Sequence, residues 1–388
     1  MPANIQQLNE AIRALGRGLA SSARSIQAAQ AEAVQLLHAA ARDQDLVRDR
    51  IQVAVAVDPS LRCAVPLKES IAAGFPIPTR AESLQLLAVD GSQVVPDRHE
   101  ELLFALVNVG SVLMVPDSGL VPETDVETTL LFGDELLTSA GRVITEGDLS
   151  LRRDIAERQG LLKSASARTA WIGLLDGPLE LWGAKDVSEP RAFEMALRGY
   201  LDDLRVLRSR GCFLAGYVDK PAADLVIKML ELSAPVDGAA PARPPHQVLR
   251  GVTDRWLFSQ VLQPRARSAV FALQSSSRAR YQDDLAIHFF YLNVGSERNP
   301  VLARVEFPAW VAGDPNGLDA LHRGLIEQCS FLAARPYPYV LHRAHETARI
   351  TSQEREQIKL RLLLEMRNQG MEPESASSKS SAKRVSSS

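Results

Sequence analysis

Three carboxylates and one imidazole carry the chemistry open to this sequence. Asp90 closes the apolar run LQLLAVDGS, and Asp176 closes WIGLLDGPL. In each, apolar residues climb into Asp-Gly, which reads as a buried strand ending in a tight turn. Glu157 lies between them in RRDIAERQGLL, on a stretch with helical spacing of apolar residues. Hard divalent cations such as Mn²⁺ and Mg²⁺ take oxygen ligands, above all carboxylates. Three carboxylates held close repel one another, and a cation is the natural compensation. A pair of such cations commonly serves phosphodiester hydrolysis, one activating water and the other stabilising the leaving oxygen. His345, in HRAHE, is the fourth candidate, as a metal ligand or a proton carrier. His342 and Glu346 are its nearby rivals. The plain alternatives are two ordinary Asp-Gly turns and a half-buried histidine.

The elements that must position these groups follow from periodicity and punctuation. Residues 4 to about 56 read as helix, with Ile5, Leu8, Ile12, Leu15, Leu19 and Ile26 on one face, a surface for a partner, a second copy or the chain's own core. Pro59, Pro66, Pro76 and Pro78 then make a connector. Strands are expected up to Asp90, within 101–115 and over 126–132, joined by short connections that favour an antiparallel meander. A helix over 146–168 follows, with Asp148 as its N-cap. Strand 171–175, helix 191–209, strand 212–218 and helix 222–232 come next, the alternation of parallel strands and crossovers. The whole order, three antiparallel strands and then α-β-α-β-α, matches a ribonuclease-H-like core over about 84–232. In that core the first and fourth strands are parallel neighbours, which would bring Asp90 and Asp176 together with Glu157 above them.

The fold class expected is therefore α/β, with a long N-terminal helix and a C-terminal α+β elaboration. Three parts are expected: a helical extension over 1–60, a main domain over 80–370 and a disordered tail over 371–388. The tail is rich in Ser, Lys and Glu and nearly free of apolar residues. The C-terminal part, about 250–368, opens after a Pro- and Ala-rich loop at 233–248 and carries a helix at 254–262, strands at 286–294 and 302–307, and later helices. On its second strand Arg304 and Glu306 alternate as a surface pair. Contacts to a nucleic-acid strand are sought at Lys220, which follows a strand end, at Arg153, a turn before Glu157 with Arg152 beside it, and at Tyr291 in HFFYLNV. Each has a plain reading too: a solvated turn lysine, solvated arginines, and a core aromatic.

Composition narrows the setting. The 388 residues are 46% hydrophobic and 23% charged, a soluble globular balance with no apolar run long enough to span a membrane. The N-terminus shows no secretory pattern, and Cys63, Cys212 and Cys329 form no Cys-x-x-Cys pair. Both features point to a cytoplasmic protein. A net charge of −3 does not advertise a nucleic-acid binder, yet a local basic channel can sit on an acidic molecule.

With these residues in view, the chain resembles the NurA nucleases. The resemblance is carried by AVDGS at 88–92, RDIAE at 153–157, LLDGPL at 174–179, GYVDKP at 216–221 and TDRWLF at 253–258. It continues through FFYLNVG at 289–295, RVEFPAW at 304–310 and PYPYVLHRAH at 336–345. It implies a ribonuclease-H-like, Mn²⁺-dependent deoxyribonuclease, with Mg²⁺ as the other candidate cation. The activities implied are single-strand endonuclease and 5′-to-3′ exonuclease, in end resection at DNA double-strand breaks. It also implies a homodimer docked on a hexameric HerA-type ATPase. By position it makes Asp90, Glu157 and Asp176 metal ligands and His345 the late active-site histidine. The long N-terminal helix, the tail and the loop at 233–248 depart from the pattern. A catalytically inactive scaffold subunit, and a nuclease of the same fold acting on RNA or on particular DNA structures, are the alternatives.

Overall fold

The computed structural model describes residues 5–79, 84–164, 170–181, 186–234, 248–314, 316–332 and 334–370. The tail expected at 371–388 and most of the loop expected at 233–248 lie outside the described residues. The N-terminal helical stretch is two helices, α1 (Ile5–Ala40) and α2 (Gln44–Val57). Asp43 separates them, its carboxylate accepting from Leu46 N at 3.0 Å as the N-cap of α2. Two short strands follow, β1 (Cys63–Pro66) and β2 (Gly74–Phe75), then β3 (Leu86–Val94), β4 (Ala105–Met114) and β5 (Glu123–Leu131). Next come α3 (Glu146–Ser164), β6 (Trp171–Asp176), α4 (Pro190–Ser209), β7 (Cys212–Val218), α5 (Leu225–Ser233) and α6 (Asp254–Val261). The rest comprises β8 (Arg267–Ser268), β9 (Phe271–Gln274), β10 (Ile287–Asn293) and β11 (Leu302–Pro308), then α7 (Ala309–Gly313), α8 (Gly317–Ser330), α9 (Tyr339–Ala348) and α10 (Ser352–Asn368). The fold is mixed α/β, and most of its strand pairs are antiparallel. No helix among the described residues is long and apolar enough to cross a membrane.

The chain divides into two compact units, each made of two separate segments. One joins Met1–Thr79 to Val218–Ala309. Here β1, β9, β10 and β11 pair antiparallel in that order, and β8 pairs with β10 and β2. Helix α2 packs on α5 and β1, and α1 on α5 and α6. The later half of α1 buries Ala29, Ala33, Leu36 and Leu37, while Ile5, Leu8, Ile12 and Ile26 stay exposed. Polar groups also lie inside this unit. Asp254 is fully buried and accepts from Val226 N, Ile227 N and the Tyr291 hydroxyl. Arg304 and Glu306, expected as a surface pair, are instead buried and bonded to each other at 3.0 Å. A buried charge needs a partner, and each supplies the other.

The other unit, Arg80–Tyr217 with Trp310–Ser388, holds the candidate site. Strands β3, β4 and β5 form an antiparallel meander, β6 runs parallel beside β3, and β7 runs parallel beside β6. Helices α3 and α9 pack against β3 and β4. Two local expectations are corrected here. Strand β3 does not end in a turn at Asp90-Gly91 but continues, paired with β4, to Val94. Asp148 is not the N-cap of α3 but sits in its first turn. It accepts from Thr145 N at 2.8 Å, while the Thr145 hydroxyl accepts from Asp148 N at 3.2 Å, a reciprocal cap.

Candidate active site

Asp90 and its neighbour Gly91 face opposite sides of the sheet, because side chains alternate along a strand. The Asp90 side takes α9. His345 Nδ1 lies 2.7 Å from Asp90 Oδ2, and Asp90 Oδ1 accepts from Gly91 N at 2.8 Å. With a carboxylate as acceptor, Nδ1 carries the hydrogen, which leaves Nε2 as the lone-pair nitrogen of the neutral ring. Asp90 is 8% exposed, whereas the His345 side chain is 62% exposed. The pair thus joins a sheltered carboxylate to an imidazole open to solvent. The rivals His342 and Glu346 approach each other at 3.6 Å on α9, and Arg343 donates to Glu346 at 2.9 Å.

The Gly91 side takes α3. A side chain at Gly91 would stand 2.6 Å from Glu157 Oε1 and 2.8 Å from Arg153 Cγ. Gly91 is therefore required by the close approach of these two residues and not by a turn. Glu157 is buried, and burial pushes its carboxyl up to about 8; Arg153 and Arg158 pull it down, and Asp154 and Asp90 push it up further. Arg153 Nε lies 3.2 Å from Glu157 Oε1, near enough for an ion pair though not aligned as a hydrogen bond. Its Nη2 donates to Asp154 at 2.9 Å. Arg153, expected as a nucleic-acid contact, is thus engaged by two carboxylates. Arg158 lies over the Tyr200 ring at 4.7 Å and donates to Asp154 O at 2.7 Å. Sequence reading did not single out this buried arginine, and a helical Arg has no signal of its own.

Asp176 ends β6, and Gly177 turns the chain away with φ +93°. The β3–β6 pairing runs in register to Val89 with Leu175, so Asp90 and Asp176 are the next residues on adjacent parallel strands. Such strands are about 4.8 Å apart. Strand alternation puts Asp176 on the face of Ile172, which together with Leu86 meets α8 at Gly324. By the same alternation from Leu86, this is the face of Asp90. Asp90, Asp176 and His345 therefore share one face, and Glu157 reaches β3 from the other.

Lys220 holds φ +45°, is 70% exposed along its side chain and lies 3.8 Å from Asp219. Tyr291 is fully buried and stacks on Phe258 at 4.6 Å, so its place is in the core. Arg152 donates to Glu135 O at 3.1 Å.

Among the described residues, no three His, Cys, Asp or Glu side chains are arranged so as to hold a metal ion. The donor types nonetheless fit a hard divalent cation. They are three carboxylates and an imidazole, and among the described residues each Asp90 oxygen has a single hydrogen-bond partner and so keeps lone-pair capacity.

This geometry lies inside a recognised domain. The family model of the NurA domain matches residues 84–350, more than half of the chain. The chain belongs to the NurA family of nucleases. Among solved structures it is similar to the NurA nuclease from Sulfolobus solfataricus, at 13% identity over 82% of this chain and 93% of that one, with a TM-score of 0.46. It is also similar to a second NurA crystal structure (11% identity, 73% and 89% covered, TM-score 0.32). A third likeness is to the catalytic domain of human endonuclease V (16% identity, 81% and 96% covered, TM-score 0.31). These likenesses are distant, and no residue role is taken from them. No curated protein matches the chain.

Proposed function

We propose that the chain is a metal-dependent deoxyribonuclease whose centre is formed by Asp90, Glu157, Asp176 and His345 on a ribonuclease-H-like core. The observation that carries this reading is the Asp90–His345 contact of 2.7 Å, beside Asp176 on the same sheet face, within a NurA domain. Asp90, Glu157 and Asp176 would hold Mn²⁺ or Mg²⁺, with His345 as a further ligand through Nε2 or as a proton carrier. When bound, the cation supplies an activated water and neutralises charge at the scissile phosphate. The chain's own contribution is to hold and orient. Asp90 fixes the His345 ring through Nδ1–H, so that Nε2 faces solvent and is free to take a proton from water or to give one to the leaving 3′ oxygen. Lys220 would meet a backbone phosphate as a point charge.

The substrates in this reading are single strands and duplex ends, cut endonucleolytically and from 5′ to 3′. The setting is double-strand-break resection by a homodimer working with a HerA-type ATPase. The test is cleavage of end-labelled single-stranded and duplex DNA with Mn²⁺, with Mg²⁺ and with chelator, beside Asp90→Ala. Metal-dependent cleavage lost in the variant supports the reading; full cleavage by Asp90→Ala overturns the site assignment.

One observation favours a second reading, an inactive scaffold subunit: no three acidic or imidazole groups are arranged around a metal position among the described residues. Titration calorimetry with Mn²⁺ separates the two, since a scaffold shows no binding. RNA and DNA supplied in competition decide the substrate.

A further inference from the structure

Helix α9 reaches Asp90 because one side chain is missing from β4. Gly110 is the cross-strand partner of Asp90, so both positions face α9. A Cβ at Gly110 would stand 2.6 Å from Ala348 N, 2.8 Å from Ala344 O and 2.9 Å from Thr347 C. All three atoms are backbone. No rotamer change relieves such a contact, so the helix itself would have to lift from the sheet.

The next pair on this face fixes the helix along its axis. Ser92 and Asn108 are cross-strand partners, and both donate to Ala348 O, Ser92 Oγ at 2.5 Å and Asn108 Nδ2 at 2.7 Å. Ala348 is the last residue of α9, where carbonyls have no acceptor role left within the helix. Thr128 of β5 donates its hydroxyl to Asn108 Oδ1, which sets the orientation of the amide. Two strands thus converge on one carbonyl, with a third orienting one of the donors, a single helical turn beyond His345. The His345 side chain is too exposed for packing to hold it in place.

We propose that Gly110, Ser92 and Asn108 are positioning residues that hold His345 Nδ1 against Asp90 by fixing the height and axial setting of α9. The inference rests on the reading of Asp90 and His345 as site residues. Its test uses a readout independent of cleavage. Imidazole nitrogen shifts of the full-length chain are recorded at about pH 8, where an ordinary histidine is neutral, and the His345 signals are identified by their loss in His345→Gln. The wild type is expected to show the Nδ1–H tautomer. Gly110→Ala and the double variant Ser92→Ala/Asn108→Ala are expected to show the averaged shifts of a free ring. Ser92→Thr keeps the hydroxyl and is expected to keep the wild-type pattern. In cleavage, kcat is expected to fall about a hundredfold in the displaced variants with KM little changed, the effect of an ångström-scale misplacement.

Should Gly110→Ala fail to fold, the double variant decides. An unchanged His345 tautomer in the folded double variant overturns the proposal. A changed tautomer in a chain whose wild type cleaves nothing, alone or with a HerA-type ATPase, supports the positioning and refutes the nuclease reading, so the two failures are distinct.

Discussion

The two Asp-Gly pairs look alike in sequence and differ in almost every physical respect. Gly177 holds φ +93° with open space around its missing side chain, so it is glycine for its backbone. Gly91 lies within a continuous strand, and the space beside it is filled by Glu157 and Arg153, so it is glycine for its lack of bulk. Asp176 is exposed at a strand end, while Asp90 is sheltered mid-strand and bonded to a histidine 255 residues away. The same dipeptide thus makes a turn in one place and a close helix approach in the other. The difference comes from what packs on the strand, which no local pattern encodes.

Substitutions sharpen this contrast. Asp90→Asn is expected to reduce cleavage by about a thousandfold, the loss of several kcal/mol of transition-state stabilisation; end-labelled DNA assays check it, and retained activity would separate Asp90 from the chemistry. The two glycines should then part company. Gly91→Ala forces Glu157 and Arg153 aside, at about 1–3 kcal/mol for overpacking, and is expected to lower cleavage as well as melting temperature. Gly177→Ala is expected to cost about 1 kcal/mol for its positive φ and to leave cleavage unchanged. Equal effects of the two on cleavage would erase the distinction.

Glu157 supplies a third check, through pH. Its carboxyl stands at about 8 in the folded chain against an ordinary 4.5. Between these values the folded chain keeps a proton that the unfolded chain has lost, so stability falls as pH rises through this window. In Glu157→Gln the decline above about pH 6, beyond the range of the raised Asp254 carboxyl, should be absent, which denaturant melts at about pH 6.5 and pH 8 would reveal; the same decline in both chains would place the carboxyl in water. The smallest effect is expected at Lys220, just past the end of β7. Lys220→Gly relieves a positive φ while adding freedom to the unfolded chain, so stability should hardly change. KM for DNA should rise by about threefold, the scale of one exposed charge contact. An unchanged KM leaves Lys220 as a turn residue only.

Much of the architecture was legible because its signals are local. Helix α4 was expected at 191–209 and spans Pro190–Ser209, with Pro at its first position and Gly211 beyond its end. The strands β6, β7, β10 and β11 stood out as apolar runs between turns. Strand β3 was cut short because Asp-Gly usually turns; the signal for its continuation was Val94, two residues beyond Ser92 in alternation and buried. Strands β1, β2, β8 and β9, of two to four residues, are too short to show a period. The burial of Arg304 and Glu306 was missed for another reason. Charge alternating on a strand ordinarily faces water, and only the elements packed over the strand show when it does not. For the site, residue types named Asp90 and His345 as candidates, but the register that opposes Asp90 to Gly110 is a tertiary fact.

The long separation between Asp90 and its histidine has a consequence during synthesis. At roughly 5–20 residues per second, the ribosome makes His345 about 13 to 50 s after Asp90, given the 255 residues between them. Through that interval the meander stands without α9, and the cleft of Gly110 lies uncovered. A nascent chain in this state carries Asp90 without the imidazole that bonds it. The same late helix that brings His345 to Asp90 therefore also delays that contact by the time needed to make the chain between them.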